Sequence, residues 1–285
     1  MVEPPRPVEP RRCQTGGVRI VIATNPAARV TSLVVLLTVA VAAAVAGPPL
    51  PPPKPTPDSK TPTAAPAFRV LVFSKTAGFR HGCIPDGVAA VRAIGGDRFT
   101  VDATEDASLL TAEKLASYRV VVFLNTTGDV LDDTQQAAFE GFIRSGRGYV
   151  GVHAAADTEY DWPWYGRLVG AYFKSHPRIQ PATVVVENTA HPATKHLAAR
   201  WQRTDEWYNY RTNPRESVRV LMSLDTASYD GSAMPDDHPI AWYHEYDGGR
   251  AFYTGGGHTK ESFRDPAFLI HLRGAILWAA GGPNG

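Results

Sequence analysis

Cysteine is almost missing from this chain: two residues in 285, Cys13 and Cys83. Cys13 precedes an apolar run, so a chain processed after that run keeps Cys83 alone and can form no internal disulfide. Excess charge is missing too, with 29 basic and 28 acidic residues. The five arginines and two glutamates of residues 1–46 leave 24 basic and 26 acidic residues behind them. That balance carries no electrostatic footprint for nucleic acid. No internal repeat is visible, and no pair of histidines has the compact His-x-x-x-His spacing of a helical metal site.

A full membrane span is also lacking. The apolar run Leu33–Ala46 has 14 residues, against the roughly 20 that cross a bilayer. It follows an arginine-bearing flank and ends in Ala44-Val-Ala46, a small-x-small pattern, so residues 1–46 read as a secretory signal or, uncleaved, as an N-terminal anchor. The flank is long for a signal, and a translation start downstream of Met1 fits the pattern as well. No cysteine stands directly after the run, which argues against a lipid-anchored product. Residues 47–66 are rich in proline and read as a semi-rigid spacer. Export to the periplasm, the cell envelope or the medium is the expectation.

What remains, residues 67–285, is enough for one sizeable core. Short apolar strands alternate with helices over 69–152: strands at Arg69–Ser74, Phe99–Ala103, Arg119–Leu124 and Gly148–Val152, helices at Ile84–Ile94, Thr111–Tyr118 and Asp132–Ser145. β-Branched runs between helices predict an α/β fold with a mostly parallel sheet covered on both faces. In the second half, strands are expected at Thr183–Val186, Val218–Ser223 and Ile240–His244, with a hairpin at Asp247-Gly-Gly249 into Arg250–Thr254 and a closing helix from Pro266 to Ala280.

In such sheets, ligands gather beyond the carboxyl ends of the strands. The corner Gly148-Tyr-Val-Gly-Val-His153, where related architectures often carry a nucleophilic Cys or Ser, carries a histidine. That disfavours acyl-enzyme chemistry. His81 follows the first strand, His258 follows the hairpin strand, and His176 lies in Phe173-Lys-Ser-His-Pro177. His81, His153, His176 and His258 form a candidate divalent-metal set, zinc foremost. The same rings could instead act as acid, base and oxyanion stabilisers. Glu206 is the best candidate for a general base or metal carboxylate, which makes His153, His258 and Glu206 the catalytic candidates. No nucleotide-cofactor signature is present. His191, His196, His238 and His271 read as surface, turn or packing residues, while His244 could face either way along its strand.

Two stretches dense in rings and carboxylates, Asp157–Tyr165 and Thr204–Arg211, suit the apolar faces and hydroxyls of a sugar. From them Asp157, Tyr160, Trp162, Trp164, Trp207 and Tyr208 are the substrate-binding candidates, and burial in the core is the competing reading. Cys83 reads as a small buried thiol, with a nucleophilic role as the alternative.

Phe73-Ser-Lys-Thr-Ala-Gly-Phe-Arg-His81, Gly151-Val-His153 with Asp157–Tyr165, Gly170-Ala-Tyr-Phe173 with His176-Pro177, Asp205-Glu-Trp-Tyr208, and His244-Glu-Tyr246 through Gly257-His258-Thr259 together resemble the ThuA-like (trehalose utilisation) family. The likeness runs over residues 68–282. It implies a flavodoxin-like fold of the class I glutamine amidotransferase type. In that comparison Gly151-Val-His153 resembles the nucleophile site with cysteine replaced, and His258 with Glu261 resembles the late His-x-Glu pair at one residue wider spacing. The resemblance therefore implies a retained cavity, lost glutaminase chemistry and a small-molecule carbohydrate ligand. Two functions follow: a hydrolase or lyase acting on a disaccharide or keto-sugar, or a non-catalytic sugar-binding or sensing module.

Overall fold

A computed structural model describes residues 68–234 and 236–281. The expected leader at 1–46 and spacer at 47–66 lie outside the described residues. The strands in chain order are β1 Phe68–Phe73, β2 Phe99–Thr104, β3 Val120–Leu124, β4 Gly148–Val152, β5 Phe173–Ser175, β6 Gln180–Val186, β7 Arg200–Asp205, β8 Asn209–Tyr210, β9 Arg219–Leu224, β10 Pro239–Tyr246 and β11 Gly249–Thr254. The helices are α1 Ile84–Gly95, α2 Ala112–Leu115, α3 Asp133–Arg144, α4 Pro163–Val169 and α5 Pro266–Ala279.

Nine strands form one sheet in the order β2-β1-β3-β4-β11-β10-β9-β6-β7. The pairs from β2 through β11 are parallel. The α/β class and the parallel core sheet agree with the sequence reading. β10 then returns antiparallel to β11 as the expected hairpin. The antiparallel arm runs further than that hairpin, through β9, β6 and β7. Short β5 and β8 pair separately.

Every residue of β3 and β4 is buried, as a strand sandwiched between helix layers requires. Helices α1 and α5 pack against each other on one face, while α2 packs with α3 on the other. Gly148 permits the α5 contact: a Cβ there would sit 2.3 Å from the Ala279 carbonyl oxygen. On the opposite face Tyr149 meets Phe139 of α3 and Tyr165 of α4. α3 starts at a reciprocal capping box between Asp132 and Gln135, which satisfies two amides that a helix start leaves open.

β7 was not expected. Its sequence, Arg200-Trp-Gln-Arg-Thr-Asp205, is polar and its side chains alternate between exposed and more buried positions. That is the signature of a solvated edge strand rather than a buried one. Its last residue, Asp205, is fully buried and opens the functional site. No helix among the described residues is long and apolar enough to cross a membrane.

Candidate functional site

Four loops meet beyond the carboxyl ends of β1, β4, β7 and β11, and each contributes one side chain: His81, His153, Glu206 and His258. One donor atom from each lies within 4.8 Å of the others. The first three are buried and His258 is partly exposed.

His153 has φ of 49° at the first position after β4. This left-handed conformation is uncommon for a residue with a β-carbon and turns the side chain out of the strand line, as the backbone of a nucleophile elbow does. The Tyr253 hydroxyl donates to the His153 carbonyl at 2.8 Å, and the Tyr208 ring lies against the imidazole at 4.1 Å between centroids. His153 Nδ1 is 2.9 Å from the Gly255 carbonyl. A carbonyl can only accept, so Nδ1 carries a proton, and Nε2 is the atom turned toward the cluster.

Nε2 faces two groups. His258 Nδ1 is 3.2 Å from His153 Nε2, and Glu206 Oε2 is 3.4 Å from it. Glu206 Oε2 is in turn 3.1 Å from His258 Nδ1. His81 stacks edge-on against both histidines, with centroids 5.1 Å from His153 and 5.0 Å from His258. Its Nδ1 is buried without a hydrogen-bond partner.

The electrostatics separate these groups. Burial, followed by the neighbouring His153 and His258, lowers the His81 pKa to about 3, so its ring is neutral and able to donate a lone pair. For His258, burial opposes protonation, but the hydrogen bond and charge of Glu206 outweigh it and the pKa is raised. Burial would raise Glu206; the hydrogen bonds of His153 and His258 reverse that and hold its carboxyl well below the usual range.

His176 lies at the rim and outside the set of four donors. Its Nδ1 is 2.9 Å from the Pro177 carbonyl and 3.1 Å from Glu206 Oε1. A nitrogen between two acceptors carries a proton and has no lone pair to give. The fourth donor is Glu206, named from the sequence as a general base or metal carboxylate, in place of His176. Glu261, expected opposite His258, is exposed.

Asp205 is the residue that sequence reasoning missed. Its carboxylate accepts from the Gly257 amide at 2.8 Å, the His258 amide at 3.0 Å and the Ser262 hydroxyl at 2.8 Å. Buried Arg203 closes the set at 2.8 Å. Gly257, with φ of 113°, makes the turn that brings those amides together. No spacing in the sequence announces a carboxylate satisfied by a loop some fifty residues away.

The ring-rich stretches divide. Tyr208 packs on His153, whereas Trp207 is buried with its Nε1 donating to the Gln180 carbonyl at 3.0 Å. Asp157 accepts from the Tyr160 hydroxyl, and the Arg211 guanidinium covers the Tyr160 ring at 4.0 Å. Burial raises the Asp157 pKa against that hydrogen bond. Trp162 and Trp164 stack on each other and meet Phe139 edge-on, with Nε1 atoms bonded to Glu140 and Asp247. Both are core residues; none of those partners belongs to the histidine cluster, so a ligand platform there does not match the geometry.

Cys83 is buried, bonded to the Gly257 carbonyl and Asn125, and burial pushes its thiol up to about 12. His191, His238 and His271 are buried packing residues, and His244 Nε2 contacts the Arg167 carbonyl. A cleft of about 690 Å³ lies at the opposite end of β11, between Arg250, Tyr243 and Trp278, and no candidate residue lines it.

A model of the ThuA family, described as trehalose utilisation, matches residues 69–279. No curated protein matches the chain. A ThuA-like protein from Bacteroides uniformis is similar at 29% identity and a TM-score of 0.66, over 76% of this chain and 92% of that one. A second, from Parabacteroides merdae, shows 20% identity and a TM-score of 0.63 over the same shares. A cytoplasmic protein from Salmonella typhimurium shares the fold alone, at 12% identity and a TM-score of 0.54 over 74% of this chain and 99% of that one. With the family model spanning nearly the whole described fold, the chain belongs to the ThuA (trehalose utilisation) family.

Proposed function

We propose that the chain is a carbohydrate-active enzyme, a hydrolase or lyase acting on a disaccharide or keto-sugar at a divalent-ion centre made by His81, His153, Glu206 and His258. Membership of a trehalose utilisation family supports a carbohydrate-related role. One observation carries the finer reading. His153 Nε2, His258 Nδ1 and Glu206 Oε2 form a triangle with sides of 3.2, 3.4 and 3.1 Å. A tetrahedral zinc with bonds near 2.0–2.1 Å separates its ligands by about 3.3 Å. Three imidazoles and one carboxylate suit zinc first among divalent ions. The Gly255 carbonyl orients His153 in the manner typical of a ligating histidine.

An ion bound there would polarise a sugar oxygen or acidify a water. The protein's own part is to hold and move protons. Glu206 Oε1, held by the Nδ1–H of His176, is placed to take a proton from a substrate carbon or hydroxyl. Tyr208 and the left-handed backbone keep His153 from turning away. Cys83, neutral and enclosed, supplies no nucleophile.

The test is metal content by mass spectrometry together with product analysis on keto-disaccharides. His153→Ala and His258→Ala should each abolish turnover; full activity in both would end the proposal. The alternative, a non-catalytic sugar-binding or sensing module, predicts binding without chemical change, and the same product analysis separates the two. We also propose that residues 1–46 direct export, which the N-terminal sequence of the secreted or envelope-bound protein would check.

A further inference from the structure

Among the described residues Phe79 is the most exposed of the large apolar side chains, at 67%. Its exposure is imposed by a fixed backbone. The Ala77 and Gly78 amides donate to the Thr127 carbonyl at 2.7 and 3.3 Å, and the Thr127 hydroxyl donates to the Phe79 carbonyl at 2.9 Å. On the other side Arg80 is tied to Glu105 by two bonds of 2.8 and 2.7 Å. A clamped loop thus holds a phenyl ring in water, where burial would be favoured.

The ring stands over the site. It meets His81 edge to face at 4.9 Å and 87°, and His81 touches both His153 and His258. Phe79 therefore forms the outer lip of the centre, one ring outward from it. His176, its side chain 43% exposed and bonded to Glu206, forms a polar lip reached through Glu206 rather than through His81.

We propose that Phe79 is the platform for a pyranose ring of the substrate, which lies with its apolar C–H face on the phenyl. In that pose one ring-carbon oxygen, a hydroxyl or the carbonyl formed by its oxidation, turns toward Glu206 and His258, and other hydroxyls meet His176. An aromatic lip beside a polar centre is the usual build of a sugar site. The inference rests on the carbohydrate reading above and narrows it to pyranosides with a continuous axial C–H face, as in gluco-configured rings. Acyclic polyols lack that face.

Saturation-transfer NMR and calorimetric titration on the full chain, with trehalose as probe and sorbitol as control, test this. In the unaltered protein the axial protons of one sugar face should saturate most strongly, with sorbitol unbound. Phe79→Ala should weaken trehalose binding about tenfold or more and erase the facial pattern, while Phe79→Trp should keep both. Equal affinity and an equal pattern in Phe79→Ala, or sorbitol binding as well as trehalose, would overturn the platform and leave the carbohydrate reading standing. Failure of the unaltered protein to bind trehalose or any other glucopyranoside would overturn both.

Discussion

Asp205 holds His258 by its backbone, accepting the His258 amide at 3.0 Å, while the adjacent Glu206 holds the same histidine by its ring at 3.1 Å. Two consecutive carboxylates thus divide one task. The first fixes the loop, and the second faces the rings of His153 and His258. Asp205 is enclosed and also neutralises buried Arg203. Asp205→Asn should lower zinc affinity 10- to 100-fold, about the effect of losing an outer partner of a ligand. Unpairing Arg203 should cost about 3 kcal/mol or more. Zinc titration and thermal melting check the two effects separately; unaltered affinity in a destabilised protein would assign Asp205 to the fold alone.

Glu206→Gln keeps the shape of the side chain and removes its charge. The unaltered protein should purify with near-stoichiometric metal and this variant with well below one equivalent, and chelation of the unaltered protein should abolish turnover. Inductively coupled plasma mass spectrometry reads the first and an activity assay the second. Metal content equal to that of the unaltered protein would remove the carboxylate from the ligand set.

Cys83 should resist alkylation. With its thiol pushed up to about 12 by burial, almost no thiolate exists at pH 8, and the thiolate is the reacting form. Iodoacetamide should label the protein only after unfolding, and activity should survive the treatment.

Acid should unfold the chain through its packed histidines. His271, between Phe252 and Phe268, has its pKa lowered by burial to about 3, and His191 to about 4, from an ordinary 6.5. The folded values lie below the unfolded one, so the unfolded chain takes up protons first. The stability of the neutral form is present above about pH 6.5 and drains away as pH falls toward 3–4. At pH 4 His271 alone should cost about 3 kcal/mol, at roughly 1.4 kcal/mol per unit. His271→Asn, which keeps a donor near the Ala193 carbonyl, should lose less of its melting temperature between pH 7 and pH 4.5 than the parent, the remainder coming from His191; an unchanged loss would clear His271.

Trp162→Ala should separate packing from recognition. Loss of a buried indole costs about 3–5 kcal/mol, so the melting temperature should drop sharply. Sugar affinity in the surviving folded protein should stay unchanged. A selective loss of affinity would return the tryptophan pair to the binding surface.

The parallel half of the sheet was readable because β3 and β4 are enclosed on both faces and carry continuous apolar runs. His153 and His258 could be picked out because a strand end in such a sheet is already a place where ligands bind. β7 escaped because an edge strand wears polar residues, and with it went the structural role of Asp205. His176 entered the metal set because sequence does not show that its Nδ1 sits between two acceptors. Sequence shows which residues carry donors, but only the fold shows which nitrogen already holds a proton. Trp162 and Trp164 had two readings, and Phe139 beneath them decided in favour of the core.

The four converging loops carry one more consequence. His81 stands near the start of the described fold and His258 near its end, and His153 and Glu206 come from the parallel core and the antiparallel arm. An ion shared by all four would act as a reversible cross-link between distant stretches of chain. Because the unfolded chain does not gather these donors, each hundredfold excess of free ion over its dissociation constant would add about 2.7 kcal/mol to folding. The ion supply of its surroundings would then set how firmly the two halves of the sheet are joined, and resistance to proteolysis would become a gauge of occupancy.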